Sequence, residues 1–271
     1  MSEWIANARM YAVTPAVEVA WRELLGHIAH ESGVALQYLR YPAPQPLEHL
    51  WAREDLGAVL MCGYPVALKL AHVTALAAPI PRAPWAQGRA LYRSDLIVRT
   101  DSPYQRLEDT FGGRAGWTVQ HSQSGFNAFR HELLGYRSEA RPRLYATMLG
   151  DLVTARRVLD AVRDSSIDVG PLDAYWHLLI ARHAPELTAG IRVLASTPLT
   201  PIPAFVAAAG LPERLVARVR EAFLEAGRRA WFGALADVLL LEGFAPANNA
   251  AYDGLLEWDR QAQAAGYPLP A

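Results

Sequence analysis

Short apolar runs alternate with stretches of helical periodicity along most of this chain, and that alternation is the strongest limit on its fold. "ARMYAV" (8–13) reads as a first strand, and from Ala16 to Ser32 the apolar residues Val19, Leu24, Leu25 and Ile28 recur at helical spacing until Gly33 ends the helix. "ALQYLRY" (35–41) follows as a strand, then a proline-rich turn with a short helix, then the buried strand "LGAVLMCGY" (56–64). "VTALAAPIP", "ALYRSDLIVRT" and "IRVLASTPL" are further strands. The pattern is that of an α/β protein built from βαβ units around a largely parallel sheet.

Residues 100–190 form a self-contained stretch with strand "GRAGWTVQ", a helix over 124–134, a helix over 152–163, strand "SIDVGP" and a helix over 173–183. The chain is expected to leave a first lobe near residue 92, build a second over 93–195, and return, so that 1–92 and 196–271 form lobe 1. Two such crossings make a hinge. At 271 residues there is enough chain for two lobes with separate cores.

With 26 basic against 27 acidic residues, the chain carries no electrostatic footprint for nucleic acid or for an anionic membrane. Lys69 is the only lysine, which leaves little scope for Schiff-base chemistry, and Cys62 is the only cysteine, which excludes an intrachain disulfide and multi-cysteine zinc sites. His27 and His30 share a helix face without a third ligand, so no metal is expected, and nothing in the sequence calls for a cofactor. No leader pattern opens the chain and no apolar run reaches membrane-spanning length, which predicts a cytoplasmic protein as written, or a periplasmic one if a leader has been removed.

In open α/β sheets, ligands bind beyond the carboxyl ends of strands, where loops lead into helix N-termini. Those ends fall at Tyr11–Pro15, Cys62–Pro65, Gln120–Gly125, Gly170–Asp173 and Ser196–Pro201. At the third, "HSQSGFNAF" places Ser122 and Ser124 before a helix, with Gly125 allowing close backbone approach. The spacing fits a plain helix cap and an anion cradle equally well. A catalytic serine elbow needs glycines two residues either side of the serine, whereas Ser124 has Ser122 and Phe126 there, so no catalytic residue is assigned. Asp173 reads as a helix cap or a wall residue, and Tyr64 after Gly63 as a cleft residue.

Taken together, "ALYRSDLIVRTDSPYQRLEDTFGGRAGWTVQHSQSGF" (90–126), "SIDVGPLDAYWHLLIARHAPELTAGIRVLASTPLTPIPAFV" (166–206) and "LGAVLMCGYPVAL" (56–68) resemble the phosphate/phosphonate-type solute-binding proteins of ABC transporters. The resemblance implies a two-lobed type II periplasmic-binding-protein fold, two hinge crossings, and a ligand cleft between the lobes. It implies a non-catalytic protein that closes on a small anionic ligand, phosphonate, phosphate or another organic anion, with a transporter permease as partner. The anion-holding role falls on Ser122, Ser124 and Gly125, with Tyr64, Asp173 and Thr197 as wall residues, and Gln123 and the aromatic Tyr11 complete the ligand-binding set. Gln123 stands where many members carry threonine, and "LGDLVTA" (149–155) departs from their Gly-Ser-His or Gly-Gly-His. The same scaffold also resembles that of chorismate dehydratase-type and thiamine-pyrimidine synthase-type enzymes, and an enzyme or a cytosolic ligand sensor is the alternative reading.

Overall fold

The computed structural model describes residues 3–270. In chain order its strands and helices are β1 (Trp4–Asn7), α1 (Pro15–Ser32), β2 (Leu36–Tyr38), α2 (Leu47–Trp51), β3 (Leu56–Met61), α3 (Gly63–Ala67), β4 (Val73–Pro81), β5 (Leu91–Tyr92) and β6 (Ser94–Arg99). There follow β7 (Arg114–Gly116), α4 (Ala128–Leu134), β8 (Thr147–Leu149), α5 (Ala155–Arg163), β9 (Gly170–Asp173), α6 (Ala174–His183) and α7 (Pro185–Thr188). The chain ends through β10 (Ile191–Ser196), β11 (Thr200–Pro201), β12 (Ala204–Ala208), α8 (Glu213–Glu225), α9 (Phe232–Leu239), β13 (Leu241–Pro246) and α10 (Leu255–Ala264).

Two compact units result: Met1–Tyr92 with Pro201–Asp253, and Arg93–Thr200 with Gly254–Ala271. The expected return to the first lobe at 196, with the whole tail in that lobe, does not match these units. Instead, Thr197 is tied into the second unit by two bonds to Ser94, its amide donating to the Ser94 carbonyl and its hydroxyl accepting from the Ser94 amide. Residues 254–271 belong to the second unit as well, because the buried guanidinium of Arg130 bonds to Asp259 and to the carbonyl of Pro268.

The first unit is a six-stranded sheet in the order β13-β4-β12-β3-β1-β2. β1 runs parallel to β2 and β3, but β12 is inserted antiparallel between β3 and β4, and β13 pairs antiparallel with β4. The sheet is therefore mixed rather than largely parallel. The first strand also lies earlier than expected. Asn7 turns the chain out of β1 by accepting from the Arg9 amide and donating to the Leu39 carbonyl, so residues 9–11 form a 3-10 turn instead of continuing a strand. α1 begins where Thr14 caps the Val17 amide and Pro15 supplies a pre-set φ, and it stops where Gly33 takes a left-handed φ of 59°. Its buried face of Trp21, Leu24, Leu25 and Ile28 joins an aromatic core in which Phe205 stacks on Phe223 with centroids 4.6 Å apart.

The second unit has a three-stranded antiparallel sheet, β10-β6-β9, and a parallel pair, β7-β8, bridged to β9's approach through Ala115 and Val169. Leu96, Val98, Ala115, Phe129, Leu133 and Val169 form its core. Among the described residues no helix is long and apolar enough to cross a membrane.

Candidate functional site

Beyond β7 the chain runs through Trp117 and Thr118 to Ser122, where a new helix starts. Its first turn, Gln123–Asn127, is π-helical, the Asn127 amide reaching back five residues to the Ser122 carbonyl at 2.9 Å. Single π turns inside helices recur at functional sites. Ser122 is the cap, its Oγ accepting from the Gly125 amide at 2.9 Å, and α4 continues the same helix from Ala128. The first amides of a helix point out of its start without an i−4 carbonyl, the arrangement that makes a helix start favourable for an anion.

Gly125 is required for a reason other than ligand approach. A Cβ there would sit 2.0 Å from Thr118 Oγ1 and 2.8 Å from its Cγ2, so the space is already filled by threonine. Thr118 is only 6 % exposed, its amide donates to the Gly125 carbonyl at 3.2 Å, and its hydroxyl has no partner among the described residues.

Ser124 is held from behind. Ser94, at the start of β6, donates its hydroxyl to the Ser124 carbonyl at 2.8 Å. Through its main chain the same serine joins Thr197 on one side, and it stands opposite Asp173 in the β6–β9 register on the other. Asp173 Oδ1 accepts from the Tyr175 and Trp176 amides at 2.9 and 3.0 Å, capping α6. Ser122, Gln123, Ser124, Gly125, Asp173 and Thr197 thus gather in one region of the second unit, around Ser94. Ser94 escaped the sequence reading because it lies at an amino end. β6 runs antiparallel to both β9 and β10, so its first residue lies beside their last ones.

Gln123 points inward. It is 0 % exposed, and its Oε1 accepts from Asn127 Nδ2 at 2.9 Å, which places it under the turn rather than on its outer surface. Tyr11 and Tyr64 belong to the first unit, at the carboxyl ends of its parallel strands β1 and β3. Both are buried, Tyr11 accepting at its carbonyl from Trp21 Nε1 at 3.3 Å and Tyr64 lying within α3.

The loop between β8 and α5 lies against the same strand end. The amides of Leu152 and Val153 donate to the Trp117 and Thr118 carbonyls at 3.2 Å each. Val153 has φ of 68°, and the Thr154 amide closes a γ-turn onto the Leu152 carbonyl at 2.8 Å. A β-branched residue in this conformation is strained. The helix expected from 152 starts later, because Thr154 caps α5 by accepting from the Arg157 amide at 3.2 Å.

None of the six gathered residues is cationic and Asp173 is a carboxylate, so the attraction this region offers an anion comes from hydroxyls and amide dipoles rather than fixed positive charge. The sequence model of the periplasmic phosphonate substrate-binding proteins of ABC transporters matches residues 12–252. The chain belongs to this family. Its members are solute-binding proteins, the substrate-binding component of ABC phosphonate transporters, and are normally periplasmic.

Solved structures agree on the fold. A binding-protein component of an ABC phosphonate transporter from Pseudomonas aeruginosa is similar with a TM-score of 0.80 and 16 % identity over 98 % of this chain and 88 % of that one. PhnD1 from Prochlorococcus marinus, in complex with methylphosphonate, gives a TM-score of 0.77 and 14 % identity over 96 % and 98 %. A Xanthomonas citri protein bound to ATP gives 0.67 and 19 % over 98 % of each chain. These likenesses place the protein in the two-lobed type II periplasmic-binding-protein fold. No curated protein matches the chain in sequence.

Proposed function

We propose that this protein binds a small phosphonate- or phosphate-like anion on the Ser122–Gly125 turn of its second unit and delivers it, from the periplasm, to an ABC permease. The turn itself carries the reading: a serine-capped helix start, its dipole favourable for an anion, braced by Ser94, Thr118 and Thr197. Ser122 and Ser124 supply hydroxyls, the amides of the first turn supply N–H donors, and Thr197 and Asp173 fix the strand ends beside them. Bracing in advance matters because a site that is already ordered does not spend binding energy on ordering itself. The methylphosphonate complex of the Prochlorococcus relative supports the choice of ligand class. The protein performs no chemistry on the ligand, which leaves the site unchanged.

Thermal shift across methylphosphonate, phosphate, sulfate, an alkyl sulfonate, an aromatic carboxylate and a pyrimidine tests this reading. A ligand at one hundred times its Kd adds about 2.7 kcal/mol, a shift of several degrees for a chain of this size. Stabilisation by methylphosphonate or phosphate alone among these is expected. Stabilisation by the carboxylate or pyrimidine alone, or turnover of the bound compound, would overturn it.

A further inference from the structure

Behind the Ser122–Gly125 turn lies a buried polar chain that ends in the last stretch of the sequence. Gln123 Oε1 accepts from Asn127 Nδ2, and the same amide group donates to the Leu255 carbonyl at 3.1 Å. Asn127 Oδ1 accepts from Arg130 at 3.0 Å. Arg130, 1 % exposed, then reaches Asp259 with the same nitrogen and the Pro268 carbonyl with the other, at 2.8 Å, while its guanidinium lies over the Phe126 ring at 4.8 Å. Every one of these residues belongs to the second unit, and the tail supplies three of the contacts.

A buried arginine is expensive to desolvate and is kept in place by its partners. Here the partners are tail groups at 255, 259 and 268, and what they fix is one helical turn: Gln123 begins the π turn and Asn127 closes it. We infer that the C-terminal segment 254–271 is a positioning strap for the anion-holding turn, acting through Asp259, Arg130, Asn127 and Gln123. The side chains of these four lie behind the turn and set where Ser124 and Gly125 stand. The inference rests on the proposed site but concerns a different set of side chains.

A second docking contact of the same tail provides the control. Trp258 stacks on His131 at 4.2 Å and 13°, outside the polar chain. In the full chain, Asn127→Ala and Asp259→Ala are expected to weaken methylphosphonate binding about tenfold. Asp259→Asn, which keeps an acceptor oxygen, restores the affinity. Trp258→Leu, which loosens the same tail, lowers the melting temperature but leaves affinity within about twofold. Hydrogen exchange of the Gly125 amide in the ligand-free protein is expected to quicken in Asn127→Ala and Asp259→Ala and to stay unchanged in Trp258→Leu. Exchange and affinity that follow melting temperature alike in all three variants would overturn the inference. If the parent protein bound none of the anions, the proposed function would fall, while the exchange comparison would still decide on the strap.

Discussion

The hydroxyl of Ser94 donates a 2.8 Å hydrogen bond to the carbonyl of Ser124, joining the first residue of a strand to the first turn of the helix start 30 residues later. Both residues are buried. Ser94→Ala leaves that carbonyl without its donor, at a cost of about 1–3 kcal/mol. Chemical denaturation measures the loss, and an unchanged midpoint would show the bond to be dispensable.

Gly125 tests whether glycine serves packing or backbone freedom. Its φ is not in the left-handed region, so Gly125→Ala is penalised only by collision with Thr118. The expected loss is about 1–3 kcal/mol. A Thr118→Gly background removes the colliding atoms, and the penalty for Gly125→Ala should shrink there. An equal penalty in both backgrounds would point to the backbone instead.

Val153 holds a left-handed φ that glycine adopts freely. Val153→Gly is expected to raise the unfolding free energy by about 1 kcal/mol, the release of backbone strain outweighing the lost half-buried methyls. Equilibrium unfolding of the single variant decides the sign.

His131 is the site of a pH dependence. Its burial, against a weaker opposing bond to Gln261, holds its pKa below the ordinary value of 6.5, and its Nδ1 has no partner among the described residues. Protonation puts a charge and an unsatisfied N–H under Trp258. The unfolded chain therefore takes up the proton first, and the stability present above pH 6.5 declines as the pH falls through the depressed folded value. Melting temperature followed from pH 7.5 to about 5 should fall more steeply in the parent than in His131→Gln.

What the sequence disclosed follows from how local each determinant is. The bounds of α1 were legible, since Thr14, Pro15 and Gly33 act on their own neighbours, but Val19, counted with its apolar positions, is exposed while Trp21 is buried; β4 coincides with the run "VTALAAPIP". β12 was hidden because "AFVAA" is buried on both faces and shows no alternation, and β13 because "LEGFAP" follows helical sequence. The insertion of β12 antiparallel between β3 and β4 is a long-range fact that no local signal carries. At the site, Ser122 was readable as a cap by its chemistry. The inward turn of Gln123 was not, because it depends on a five-residue hydrogen bond and on Asn127, whose other partners come from the distant tail.

Calorimetric titration of methylphosphonate into the parent protein and into Ser122→Ala/Ser124→Ala tests the central claim most directly. The parent is expected to give a saturable isotherm, and loss of two hydroxyls bonded to an anion, worth about 1.5–3 kcal/mol each, should weaken it by about a hundredfold or more. An isotherm in the double variant superimposable on the parent's would contradict the placement of the anion on this turn.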